Sequence, residues 1–330
     1  MPVIQPFKRL ILDRMDCALP SGWHGVRYVT RQYSGPFCKV VRTSDGALMD
    51  VYSKNLESID LESVFQFARV NGVVGQVDLV QICDLTGNGN HINFAAGARP
   101  QLVRSGYVNT VADLPVYTAS GSALGIASMP FVWTRPIMMN GVLIAGSAPA
   151  TGAYLMGVDT QGSGYRDTQL FADKNMVLGM GEDMSTMTPD AAALTVDTAN
   201  IVTGIRNPTG VGTRGYLKHN GMLVSTFTTE SQSTSLNPDR LVVFGDPDAG
   251  GQGVPGNYMP LGWGFQELCI WNADTPPSAI ALIALEQDQA AFYNIPLYGT
   301  LAWPIQSGRK TLASNGSTLK TNTGASITYK

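Results

Sequence analysis

The strongest constraint in this sequence is its punctuation. Between residues 115 and 245, turn-forming residues interrupt short apolar runs about every eight to twelve positions, the spacing of a sandwich or jelly roll. One of these interruptions, Asn220-Gly221, and two turns outside that range, Asp45-Gly46 and Asn315-Gly316, are Asx-Gly pairs between β-forming arms. Such pairs accept the positive φ that tight two-residue hairpins require, so each predicts a hairpin. A longer turn runs from Asp84 through Thr86, Gly87, Asn88 and Gly89 to Asn90, and a Gly/Pro-rich loop occupies Asp246 to Pro260.

Composition agrees. Charged residues make up 14% of the chain and hydrophobic ones 44%, with 36 Gly and 19 Pro. A disordered chain is charge-rich and apolar-poor, and a coiled coil needs Glu, Lys and Leu in excess, so both are excluded. The net charge is -3 and no Lys/Arg run occurs, so no nucleic-acid partner is expected. The longest apolar run, Ala279 to Leu285, is too short to span a bilayer. The opening residues lack the order of a secretory signal, which predicts a chain either cytoplasmic or delivered outside by another route, such as assembly into a virus particle. Cys17, Cys38, Cys83 and Cys269 sit apart among apolar neighbours, the setting of buried free thiols; sequence alone leaves any disulfide pairing open.

The predicted elements follow. Strands fall over residues 22–52, with Val26, Tyr28 and Val40-Val41 as β-formers, and over Val77–Cys83. Further runs are Val116-Tyr117, Phe131-Val132-Trp133, Val142–Ala145, Ala153–Val158, Met176-Val177-Leu178, Ile201–Thr203, residues 241–244 and Gly264–Trp271. A short helix spans residues 60–70, capped by Asp60 with Ser63 at N3. A closing helix runs to Tyr293, with Thr275 as its cap and Pro276 in its first position. The expected organisation is an arm over 1–15, an all-β antiparallel sandwich over 16–296, and a polar β tail over 297–330 in which Leu312 faces Leu319 and Thr323–Tyr329 adds a strand.

Three stretches resemble one family. Gly25 to Gly46, with Tyr33-Ser-Gly35 and Val41-Arg-Thr-Ser-Asp45, is similar to the opening of arabinofuranosidase-B-like catalytic modules. Cys83 to His91 is similar to their Ser-Gly-Asn-Gly-Asn turn. Gly264 to Asn272, followed by the helix ending at Ile295, resembles the last strand and closing helix of concanavalin A-like (laminin-G-like) jelly rolls. The resemblance covers about residues 22–295 and implies an antiparallel jelly-roll sandwich with one short and one closing helix, plus the C-terminal β extension. Modules of this kind occur as secreted arabinofuranosidases and in bacteriophage tail and fibre proteins.

For chemistry, the resemblance implies two carboxylates. A retaining glycosidase holds its pair about 5 Å apart. Phe244-Gly-Asp246-Pro-Asp248-Ala-Gly-Gly-Gln-Gly253 is similar to the family's acid loop, with Asp246 at the acid. The nucleophile stretch has no match: Tyr165–Leu170 holds no Glu, leaving Asp167 or Glu182 as replacements, and the family's adjacent cysteine pair is missing. Glycan-binding candidates are Asp84, Asn88, Asn90, Asp246 and Trp263, with Asp84, Thr86, Asn88 and Asn90 also read as builders of their own turn and Trp263 also read as core. Asp246 and Asp248 are calcium candidates in a run without the acidic twelfth position of an EF-hand, and His24, His91 and His219 are read as loop histidines. No cofactor is expected.

These readings favour a non-enzymatic bacteriophage virion structural protein of fibre, tail or head surface, assembled in the host cytoplasm. It would contact other virion proteins through arm and tail, form a homo-oligomer, and hold host surface glycans with its jelly roll. The alternatives are an arabinofuranosidase-like glycoside hydrolase and a free carbohydrate-binding module.

Overall fold

The computed structural model describes residues 10–15, 17–53, 58–150, 152–160, 166–181, 193–207, 215–227, 238–245, 258–298, 319–320 and 326–327. Two compact units emerge, residues 1–298 and 299–330.

The first unit is antiparallel β. Its strands are β1 (Gly22–Gly25), β2 (Cys38–Arg42), β3 (Leu48–Val51), β4 (Val77–Ile82), β5 (Ile92–Phe94), β6 (Gln101–Arg104), β7 (Tyr117–Thr118), β8 (Gly125–Ser128) and β9 (Ile137–Ile144). They continue with β10 (Gly152–Asp159), β11 (Arg166–Asp173), β12 (Leu178–Gly181), β13 (Ala199–Arg206), β14 (Gly215–His219), β15 (Met222–Phe227), β16 (Arg240–Val243) and β17 (Gly264–Asn272). One layer runs β12–β11–β10–β16–β8–β5–β4–β2–β3. The other runs β15–β14–β13–β9–β17–β1. β6 and β7 stitch β4 to β17 and close the sandwich along one side.

Local chemistry sets the turns. Asn220 and Gly221 both take positive φ, 45° and 82°, between β14 and β15, as the hairpin reading requires. Gly46, at φ 73°, turns β2 into β3, and Asp45 braces that turn by accepting from Arg42 and the Ala47 N–H. Helix α1 (Leu61–Ala68) starts at Asp60, which accepts from Ser63 N and Ser63 Oγ.

Three expectations are corrected. Helix α2 spans Ala279–Tyr293 with Ser278 as its cap, accepting from Ala281 N, rather than Thr275. Pro277 disfavours helical backbone at Pro276, so the helix begins only after the proline pair. Phe131-Val132-Trp133 is a loop, not a strand, with Phe131 and Trp133 buried and Val132 exposed. Pro130 and Pro136 flank it, and Asn272 Oδ1 and Nδ2 take up the Val132 N–H and C=O. Met176 stands in the turn before β12 at φ 68°.

Part of the expected N-terminal arm belongs to the core: Ile11 and Leu12 are buried, and Leu12 N–H donates to Val29 O. Cys38, Cys83 and Cys269 are buried free thiols. In the second unit Leu319–Lys320 pairs with Ser326–Ile327; Leu312 and the Asn315-Gly316 turn lie outside the described residues. No described helix is long and apolar enough to cross a membrane.

Candidate functional site

Asp246, Asp248 and Glu182 lie outside the described residues, but the strands leading to them are placed. β12, β11, β10 and β16 are successive neighbours. Gly181, before Glu182, pairs with Gln169, and Asp167 lies in β11 between partners of Val158 and Asp159. β16 runs the other way, so Phe244 and Gly245 leave it at the opposite end, where Phe244 N–H donates to Leu155 O. Three residues of strand separate Leu155 from Val158, about 10 Å. A described carboxylate at the Gly245 end is Asp173, opposite Gly152; its oxygens accept from Asn175 N, Val177 N and Asn175 Nδ2 and brace their own turn.

The exit toward Asp246 is unusual. Phe244 takes φ 67°, a left-handed backbone that costs a bulky L-residue energy. It is held there by its N–H on Leu155 O, by Met259 N–H on its own carbonyl at 2.7 Å, and by rings of Phe94 and Phe265 at 5.8 and 4.9 Å. Such over-determined outliers cluster at functional sites.

The 84–90 turn is self-contained. Asp84 is buried; its Oδ1 accepts from Trp23 N, Thr86 N and Thr86 Oγ1, and its Oδ2 from Asn90 N. Asn88 Nδ2 donates to Pro20 O and Asn90 Nδ2 to Ser21 O. His24 touches this turn through Nε2 on Asn90 O, and His91 Nδ1 accepts from Asp84 N–H. Burial pulls the His24 pKa down, against the pull of Asp84. Trp263 is 1% exposed and its Nε1 donates to Ser147 O, so its ring is enclosed rather than presented for stacking.

Sequence reasoning missed the densest polar cluster, which lies between α2 and the β9–β13–β17 face. Glu267 of β17 accepts from Arg27 Nε at 2.6 Å, Tyr293 Oη at 2.9 Å and Gln289 Nε2 at 2.9 Å. Gln289 also donates to Asn140, Asn140 to Thr203, and Thr203 to Glu286, which pairs with Lys218. Burial opposes the Arg27 charge, but Glu267 and Asp288 more than reverse that and raise its pKa; burial pushes the Tyr293 phenol well up. Asp288 also bridges Arg27 to Arg14, at the floor of a cleft of about 640 Å³ lined by Ile11, Ala284 and Phe292. A surplus of polar residues on a closing helix, Glu286, Gln289 and Tyr293, was the available signal. Among the described residues no group of three or more His, Cys, Asp or Glu is placed to hold a metal ion.

Neither a family model nor a curated protein matches the chain in sequence. Solved structures do. An arabinofuranosidase complexed with arabinofuranosyl-alpha-1,2-xylobiose superposes with a TM-score of 0.59 at 13% identity over 83% of this chain. A GH54 α-L-arabinofuranosidase soaked with a cyclic sulfate inhibitor gives 0.57 at 14% identity over the same 83%. The sandwich fold is that of these glycoside hydrolases. The matched region spans 63% of either neighbour's length. The expectation that the chain is not an enzyme is therefore corrected: the proteins sharing its sandwich are enzymes. A missing Glu in Tyr165–Leu170 does not exclude catalysis, because a catalytic carboxylate is defined by its place in space and not by a local motif.

Proposed function

We propose that the sandwich is a glycan-directed domain that acts as an arabinofuranosidase-like glycoside hydrolase, with Asp246 as the proton-donating carboxylate. The observation that carries the reading is Phe244: a buried aromatic held in left-handed backbone where β16 turns toward Asp246, in a fold shared with arabinofuranosidases. Strain of this kind persists where geometry serves a site. The test is turnover of 4-nitrophenyl α-L-arabinofuranoside. Activity is expected, and Asp246→Asn is expected to lower kcat by about 100-fold or more. Turnover unchanged in Asp246→Asn removes that residue from the role.

A second reading is a carbohydrate-binding module without hydrolysis, favoured by the absence of Glu from Tyr165–Leu170. Saturable binding on a glycan array with no release of nitrophenol selects it. The setting in a bacteriophage particle rests on the sequence resemblance; mass spectrometry of purified particles lacking this chain would sink it.

A further inference from the structure

The 84–91 turn is gripped by two imidazoles, one through a nitrogen that donates to it and one through a nitrogen that accepts from it. His24 Nε2 lies 2.8 Å from Asn90 O. A carbonyl only accepts, so Nε2 carries the proton and Nδ1 carries the lone pair. That Nδ1 is buried with no hydrogen-bond partner among the described residues. It faces apolar surroundings: a Cβ built on Gly22 would lie 2.7 Å from Met129 Cε and 3.1 Å from His24 Cε1, and β17 brings Leu268 opposite His24. His91 is the converse case. Its Nδ1 accepts the Asp84 N–H at 3.0 Å, so that nitrogen must be unprotonated.

We infer that His24 is a proton sensor that releases the 84–91 turn when the surroundings become acidic, while His91 holds the same turn through its accepting Nδ1. A proton on His24 Nδ1 places an N–H and a charge in a pocket without an acceptor, which costs several hydrogen bonds' worth of free energy unless the turn opens to water. The charged group that acts on the His24 ring is Asp84, and its second titratable neighbour is His91. Asp84 attracts the incoming protons, but its oxygens are already engaged by four donors, and for His24 burial outweighs it. Because His24 takes a proton more readily in the open turn than in the closed one, opening becomes easier as pH falls below about 6.5. The inference stands apart from any glycan chemistry of the sandwich.

Amide hydrogen exchange on the full chain tests it, with rates corrected for the intrinsic effect of pH. Protection of the Asp84, Thr86 and Asn90 amides is expected to fall by up to about tenfold between pH 7.5 and pH 5.5, while Val142 in β9 keeps its protection. His24→Gln offers an amide donor that does not titrate, so its fall is expected to be clearly smaller. Protection that does not change with pH, or an equal fall in His24→Gln, overturns the inference. Nitrogen NMR of the two rings provides a check that needs no variant: at neutral pH His24 is expected as the Nε2–H form, and an Nδ1–H form overturns the inference.

Discussion

The two faces of β17 are equally buried and chemically opposite. Leu268 points inward, close enough to Met156 of the facing layer that a Cβ on Gly141 would touch both. Its neighbours Glu267 and Cys269 point the other way, toward Gln289, Tyr293 and Asn140 beneath α2. The inward row is held by apolar burial, which has no direction and tolerates small slips. The helix-facing row is held by directed bonds between charged and polar groups, which fix one position for α2 and penalise every other. A buried polar row of this kind contributes specificity of packing more than raw stability.

Breaking the polar row is expected to have the largest effect. Glu267→Ala leaves the Arg27 charge buried without its main partner and should cost about 3–5 kcal/mol in urea unfolding. A loss below about 1 kcal/mol would show that the row is dispensable. Replacing both partners, Arg27→Met with Glu267→Leu, should recover most of that loss.

Acidification comes next, through a polar group on the inward row. His219 pairs with Val202, opposite the face of Lys218, and burial pulls its pKa down to about 4. A histidine held neutral in this way binds its proton more readily unfolded. Its stability contribution is complete above about pH 6.5 and declines by up to about 1.4 kcal/mol per pH unit as pH falls toward 4. Melting curves at pH 7 and 5 measure it, and His219→Gln should flatten the difference.

Ile270→Val, on the inward row, should cost about 0.5–1.5 kcal/mol, the price of one methyl group and a small void. Smallest is Arg135→Ala. Its pair with Asp274 has the chemistry of Arg27–Glu267 but lies 40% and 78% exposed, where such pairs contribute about 0–1 kcal/mol.

What could be read from sequence divides along the same line. The hairpins at Asp45-Gly46 and Asn220-Gly221 and the Asp60 cap were legible because each is decided within four or five residues. The closing helix was legible in its body but not at its start, where two prolines compete for one boundary. Phe131–Trp133 looked like a strand because Phe131 and Trp133 are buried on either side of an exposed Val132, an alternation that here belongs to a loop. The polar row was invisible: Arg27 and Glu267 lie 240 residues apart, and neither one's neighbours hint at the other. Of the site, the turn-building role of Asp84 was readable. The left-handed Phe244 was not, because its neighbours on three other segments hold it there.

That separation of Arg27 from Glu267 sets a timetable for synthesis. Made at about 5–20 residues per second, the chain exposes β1 and its arginine for roughly 10–50 s before β17 leaves the ribosome. Until then one edge of the second layer has no partner strand and a cation has no counter-ion. The sandwich is therefore completed after translation of nearly the whole domain, and a nascent chain halted anywhere before residue 264 should remain a client of chaperones rather than a partly folded module.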